Sequence, residues 1–410
     1  MSTRTKSTWA WFLFDAGNSA HALLVSTVGF ALYFRQYLYV DNEQADALWA
    51  IVTVITLSIS AALAPFLGSW LQHKQKRWIG LVGATVISVI ATIALGFDMG
   101  LGPSIVVAIY VISAIGYYSA LPLYTSYLEE TADGSIERTS SSGWALGYIG
   151  GIAAAAIALL MGSLTAPIAD SPDRFRGIFV LAGTFNLLLS LPLLYFAWRT
   201  RAPVDKEPAT QWAWRDALKA LAKTPAAIRL LFSYWMVAEA ATIALYFTAI
   251  FLGTYAGMPV VKIFALTMAV QFIAAIATWQ TGPLAEKFGS AIIFQLTCLL
   301  WIAIPPLLWA VKVGSPYWIP LVMMGLVLGS HHALVRAEVV RIAKPLVAAE
   351  RGSLFGFLEV SGRVSSIVGP LVVGLLAFVF ELPEALLVAA VFPIIAFVVI
   401  RKYKWVDAAS

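Results

Sequence analysis

Four ionisable residues, Asp15, Glu239, Glu359 and Arg363, sit inside stretches that are otherwise apolar. A charge at the centre of a bilayer costs about 2.5–3.5 kcal/mol on insertion scales, so such residues are kept for a cavity or for a partner. Glu239 lies in YWMVAEAATIALYF with no opposite charge nearby in sequence. An apolar setting disfavours the charged form of a carboxylate, and a group poised between neutral and charged is what a transported proton requires. Glu359 and Arg363 are four residues apart with the acid first, so one helix face can hold an ion pair, either as a brace or as a working part. Asp15 begins the array D-x-x-N-S-x-H. Helical periodicity puts Asp15, Asn18 and Ser19 on one face and turns His21 away from Asp15 by roughly 240°. That face can bind the ammonium of a zwitterion or brace the seventh or eleventh helix. His21 reads as a satisfied interface residue.

Further along, His331 and His332 are adjacent and cannot hold one metal as a helical i, i+4 pair would. Arg336 and Glu338 follow near the end of the same run. They are either interfacial anchors whose heads snorkel to the surface or a gate that pairs across the molecule. Gly143, Gly147 and Gly151 give two successive G-xxx-G spacings, which let a helix approach a neighbour closely. Nothing at these positions forms a catalytic set: there is no GxSxG, HExxH, P-loop GK[ST] or CxxC. We therefore expect no enzyme, no metal and no cofactor. The single Cys298 excludes an intrachain disulfide.

The elements that must position these residues follow from composition. A chain of 410 residues that is 60% hydrophobic and 12% charged cannot hide its apolar surface from water, so lipid is its main solvent. Its apolar runs each suit roughly 20 residues of helix across a hydrocarbon core of about 30 Å, and they are too long and unalternating for barrel strands. We expect an all-α polytopic membrane protein with helices near 9–38, 46–71, 78–97, 103–128, 138–162, 176–198, 227–254, 261–281, 289–311, 316–340, 352–378 and 383–401. These make a six-helix bundle over 1–198, a cytoplasmic linker over 199–226 and a second six-helix bundle over 227–410. Of the 27 Lys and Arg residues, 20 fall in one alternate set of loops and the two ends, 4 in the opposite set. Positive residues stay cytoplasmic, so both termini are expected there. The same asymmetry accounts for the net charge of +5, which calls for anionic lipid and no nucleic acid. The first helix lacks a small-residue cleavage site and reads as an uncleaved anchor.

The two halves carry matching features. Gly68 and Gln72 in the second-to-third loop parallel Gly282 and Glu286 in the eighth-to-ninth at an offset of 214 residues, followed by Lys74 and Lys287. Gly143-Trp144 parallels Gly356-Phe357 at 213. On these residues the chain resembles the major facilitator superfamily, whose loop signature is glycine, an acid four residues on, basic residues and a glycine. Gly282, Glu286, Lys287 and Gly289 fit it, whereas Gln72 replaces the acid and Gln75 the glycine in the first half. The resemblance implies that the acid caps a neighbouring helix and pairs with arginine as a latch. Gln72, Lys74, Glu286 and Lys287 are thus gate candidates, together with Arg336 and Glu338.

Four segments narrow the likeness: WFLFDAGNSA from Trp11, SGWALGYIGG from Ser142, ALVRAEVVRIAKP from Ala333 and FGFLEVSGRVSSIVGP from Phe355. These resemble the fungal autophagy-related vacuolar amino-acid effluxers and their bacterial relatives, though His331, His332 and Glu338 stand where relatives are serine-rich. What the resemblance implies is a twelve-helix secondary transporter working by alternating access on a small solute or ion. It would be ion- or proton-coupled, with amino-acid efflux as the narrower expectation, and a monomer in a bacterial inner membrane. The rival is a non-transporting receptor or scaffold on the same fold, which need not retain the buried acids.

Overall fold

A computed structural model describes residues 3–27, 29–39, 45–73, 76–97, 100–165, 172–200, 218–219, 221–254, 257–258, 260–311, 316–377 and 379–405. These are helical with no strand among them. In chain order the long helices are α1 (Thr3–His21), α2 (Ala45–His73), α3 (Arg77–Ala94), α4 (Pro103–Thr125), α5 (Ile136–Thr165) and α6 (Pro172–Arg199). Then come α7 (Pro225–Thr254), α8 (Val260–Phe288), α9 (Ser290–Val311), α10 (Trp318–Ala343), α11 (Ala348–Leu376) and α12 (Leu382–Ile400).

Local chemistry explains several boundaries. Pro103 occupies the start of α4, where its missing N–H costs nothing. Gly289 ends α8 at φ +89°, and its N–H reaches the Ala285 carbonyl at 2.8 Å. This left-handed cap is open to glycine without strain. Helix α1 begins six residues before the expected boundary, because its polar first turns carry no hydropathy signal. Beyond His21 it winds on through π turns at Ala22–Thr27 and Phe34–Leu38, and at Gly29 a Cβ would meet the Leu24 carbonyl. Helix α10 is interrupted at Leu328–Gly329, one residue before the two histidines.

Nine helices among the described residues are long and apolar enough to cross a membrane: α3 to α7 and α9 to α12. Within α2 the apolar stretch Ile51–Ala64 is shorter. The regular part of α1 bears Arg4, Lys6 and Asp15. The molecule is an integral membrane protein, and many of its exposed side chains are large and apolar, as at Ile90, Leu188, Leu371 and Val398.

The chain forms two compact units. One comprises Met1–Asp133, Leu146–Trp214 and Arg351–Gly356; the other comprises Gly134–Ala145, Arg215–Glu350 and Phe357–Ser410. Thus the beginning of α5 groups with the second unit and the remainder with the first. In the first unit α1 packs along α6, and α3 packs on α4 and α6. Phe30 stacks on Tyr110 at 4.1 Å within an aromatic core that includes Phe175 and Phe179. Glycines bring its helices close: an added Cβ at Gly17 would touch Leu189 and Asn186, and one at Gly116 the backbone of Ala84 and Ser88. In the second unit α7 and α9 pack on α12, and α8 packs on α10.

Candidate functional site

In the second unit the apolar face of α7 carries Glu239, which has no solvent exposure. Its Oε1 accepts the indole N–H of Trp235, one turn earlier, at 2.5 Å. Oε2 makes no well-aligned hydrogen bond among the described residues. It lies in a slot left by Gly369 of α11, where a Cβ would come within 2.5 Å of that oxygen. Nearby contacts join the same two helices: Thr242 and Ser365 are hydrogen-bonded at 3.3 Å, and Gly362 leaves room for the Tyr234 hydroxyl. A buried carboxyl held by one indole N–H and set against the Gly369 backbone is chemically suited to take up and release a proton.

Tyr234 leads to α10, where its hydroxyl meets His332 Nδ1 at 2.7 Å. Trp144 of α5 stacks on His332 at 4.6 Å, and Arg336 lies over the Trp144 ring at 5.3 Å. The rings of His331 and His332 are 4.0 Å apart. His331 is fully buried, with Nδ1 on the Val327 carbonyl at 3.2 Å and Nε2 without a hydrogen-bond partner among the described residues.

At the far end of α10 the polar side chains turn inward. Arg336 is 5% exposed and does not snorkel; its Nε and Nη2 donate to the hydroxyl and carbonyl of Ser140 at 3.0 and 2.8 Å. Glu338 is buried as well and is no interfacial anchor. It accepts from the Tyr403 hydroxyl at 2.7 Å and from Arg341 at 3.3 Å. Arg341 also pairs with Glu137 in the first turn of α5. Beside this cluster Glu286 of α8 accepts from Arg138 at 2.7 Å and from the Ser135 hydroxyl, which in turn caps the Arg138 N–H. Gly282 permits that approach, since a Cβ there would meet the Arg138 backbone. Lys287 is exposed and lies over Phe288 at 5.0 Å. Lys74 lies outside the described residues, as does the side chain of Gln72.

On α11 Glu359 and Arg363 form an ion pair at 3.5 Å. Arg363 is 4% exposed and Glu359 19%.

The first unit holds the Asp15 array. Asp15 and Asn18 are buried, and Ser19 donates back to the Asp15 carbonyl at 2.9 Å. Asn18 faces Asn186 of α6 at 3.5 Å, and Ser190 bonds Asn186 at 2.9 Å. The amide nitrogen of Asn18 has no partner among the described residues. Helix α5 approaches this face through Gly147, Gly150 and Gly151; a Cβ at Gly147 would reach Ser19 Oγ, and one at Gly150 the backbone of Ala16. His21 is satisfied between helices, with Nε2 on Ser113 at 2.8 Å and its ring on Tyr117.

Sequence reasoning missed Glu137, Arg341, Tyr403 and Ser140. Arg341 had a signal, being three residues after Glu338, but both it and Glu137 fall just outside the helices expected at 316–340 and 138–162.

A family model of the Major Facilitator Superfamily matches residues 264–410. The chain is similar to the uncharacterized MFS-type transporter YxiO of Bacillus subtilis (strain 168), 26% identical over 396 residues, covering 92% of this chain and 90% of that protein. It is also similar to the multidrug resistance protein MdtG of Proteus mirabilis (strain HI4320), 23% identical over 348 residues, covering 83% of this chain and 81% of that one. Among solved structures, the proton:xylose symporter XylE bound to 6-bromo-6-deoxy-D-glucose superposes with a TM-score of 0.72 at 14% identity, over 99% of this chain and 96% of that one. The fold is therefore that of the major facilitator transporters.

Proposed function

We propose that this protein is a proton-coupled secondary transporter of a small organic solute, with amino-acid efflux the narrower reading, and that Glu239 carries the coupling proton. The observation behind this is the Glu239 carboxyl itself: fully buried, bonded to Trp235 through one oxygen and set against Gly369 through the other. Asp15, Asn18 and Ser19 are the candidate solute contacts, because Asp15 supplies an acceptor for an ammonium and Asn18 a donor for a carboxylate. Glu359 and Arg363 are proposed to lie at the edge of the path.

Alternating access needs contacts that break and reform as two six-helix bundles rock, with solute binding the states unequally. The start of α5 makes three candidate contacts of this kind, Arg138 to Glu286, Glu137 to Arg341 and Ser140 to Arg336. The first is partly exposed to solvent and is worth about 0–1 kcal/mol, which suits a latch that must open on every cycle. We place the protein in a bacterial inner membrane as a monomer, with both ends and the 199–226 linker cytoplasmic.

Purified protein should be stabilised against heat by one class in a panel of amino acids, peptides, sugars, drugs and metal ions. That class should then show counterflow in proteoliposomes. Stabilisation without counterflow would instead indicate a receptor on this fold.

A further inference from the structure

After α12 the backbone leaves the helix at Arg401 and Lys402 and folds back on the second unit. Tyr403 is 6% exposed, and its hydroxyl donates to Glu338 at 2.7 Å. Its ring meets Trp405 edge to face at 5.3 Å, and Trp405 packs on Phe294 of α9 at 5.7 Å. Arg229 of α7 reaches the Lys402 carbonyl at 3.4 Å. The segment 401–405 therefore touches α7, α9 and α10. Through one hydroxyl it enters the buried cluster in which Arg341 joins Glu338 to Glu137 of α5.

A donor at this point has a mechanical consequence. Arg341 is shared between two carboxylates, Glu137 and Glu338. The Tyr403 hydroxyl takes up one oxygen of Glu338, which fixes the rotamer of that side chain and with it the place of Arg341. Burial and the Glu338 charge push the Tyr403 hydroxyl well above the usual tyrosine range, so it remains a donor throughout accessible pH. An O–H to a carboxylate is among the stronger hydrogen bonds, and its loss inside a dry cluster is not made good by water.

We propose that the segment 401–405 is a strap on the gate, with Tyr403 the positioning residue that holds Glu338 and Arg341 in place to retain Glu137 and the start of α5. This rests on the transporter reading above for the meaning of the gate, but the strap itself is a statement about how readily the start of α5 separates from α8 and α10.

The test uses Ser141→Cys as reporter. Ser141 is fully buried on α5, bonds the Arg138 carbonyl and lies where Gly282 of α8 comes closest, so it becomes reachable only when that contact opens. The native Cys298, also buried, reports general loosening. The full chain in inside-out vesicles without solute is treated with a thiol reagent, and the rate at each cysteine is read by mass spectrometry. Tyr403→Phe keeps the ring on Trp405 and deletes only the donor. It should speed labelling at Ser141→Cys about ten-fold, the size expected for one hydrogen bond to a charged acceptor, and leave Cys298 unchanged. Trp405→Ala, which loosens the strap without touching the cluster, should act in the same direction. Unchanged labelling at Ser141→Cys in both variants overturns the strap, and so does equal acceleration at both cysteines. Selective acceleration in a protein that shows no counterflow with any solute keeps the strap and sinks the transporter reading alone.

Discussion

Trp235 donates its indole N–H to Glu239 Oε1 at 2.5 Å along α7, while Glu239 Oε2 lies against the bare Cα of Gly369 on α11. The carboxyl is thus held by one helix and accommodated by another. Gly369→Ala should overpack this seam, lowering stability by about 1–3 kcal/mol, read as a fall in the thermal unfolding midpoint. Adding Glu239→Ala should recover much of that loss, since the clashing oxygen is gone. Simple additivity of the two substitutions would mean that the slot does not serve the carboxyl.

The Arg138–Glu286 pair is a second point of test. Both side chains are partly exposed, so Glu286→Gln should shift the unfolding midpoint little, the pair being worth about 0–1 kcal/mol. Solute exchange should nonetheless change in rate, because the latch no longer biases one state. Reversing both charges, with Arg138→Glu and Glu286→Arg, should restore wild-type exchange in part. A double variant no better than either single one contradicts a charge-based latch.

On α11 the buried Arg363 pairs with Glu359 at 3.5 Å. Removing one partner of a buried pair costs about 3–5 kcal/mol, whereas losing both is milder. Glu359→Gln and Arg363→Gln should each lower folded yield, and the double variant should recover it. If that double variant also transports normally, the pair is a brace; if it folds but fails to transport, the pair belongs to the cycle.

How far the sequence reaches is visible residue by residue. Hydropathy located the long helices because apolar runs of this length have no other stable form in lipid, and it singled out Glu239 because a lone acid in such a run is conspicuous. The π turns after His21 and the interruption of α10 at Leu328–Gly329 were not legible, since backbone winding depends on packing against other helices. Of the glycines at G-xxx-G spacing, Gly147 and Gly151 do face α1, but Gly150, outside that pattern, makes the closest approach. Arg336 and Glu338 were visible as candidates, while their partners Ser140 and Tyr403 lie 196 and 65 residues away. No local spacing encodes those contacts.

Topology has its own check. Gly102 has open space around its Cβ position, so Gly102→Cys is tolerated there, whereas the cytoplasmic assignment concerns Lys219. In sealed right-side-out cells an impermeant thiol reagent should modify Gly102→Cys and spare Lys219→Cys. The alternative external site, the loop at Asp170, lies outside the described residues. Modification of Lys219→Cys from outside would reverse the orientation.

Proton coupling through Glu239 is tested most directly in proteoliposomes, by comparing gradient-driven accumulation with solute exchange for the wild type and Glu239→Gln. The amide mimics the protonated carboxyl and cannot titrate. The account predicts that the variant exchanges solute across the membrane at near wild-type rate but no longer accumulates it in response to a pH gradient. Full gradient-driven accumulation by Glu239→Gln would contradict it.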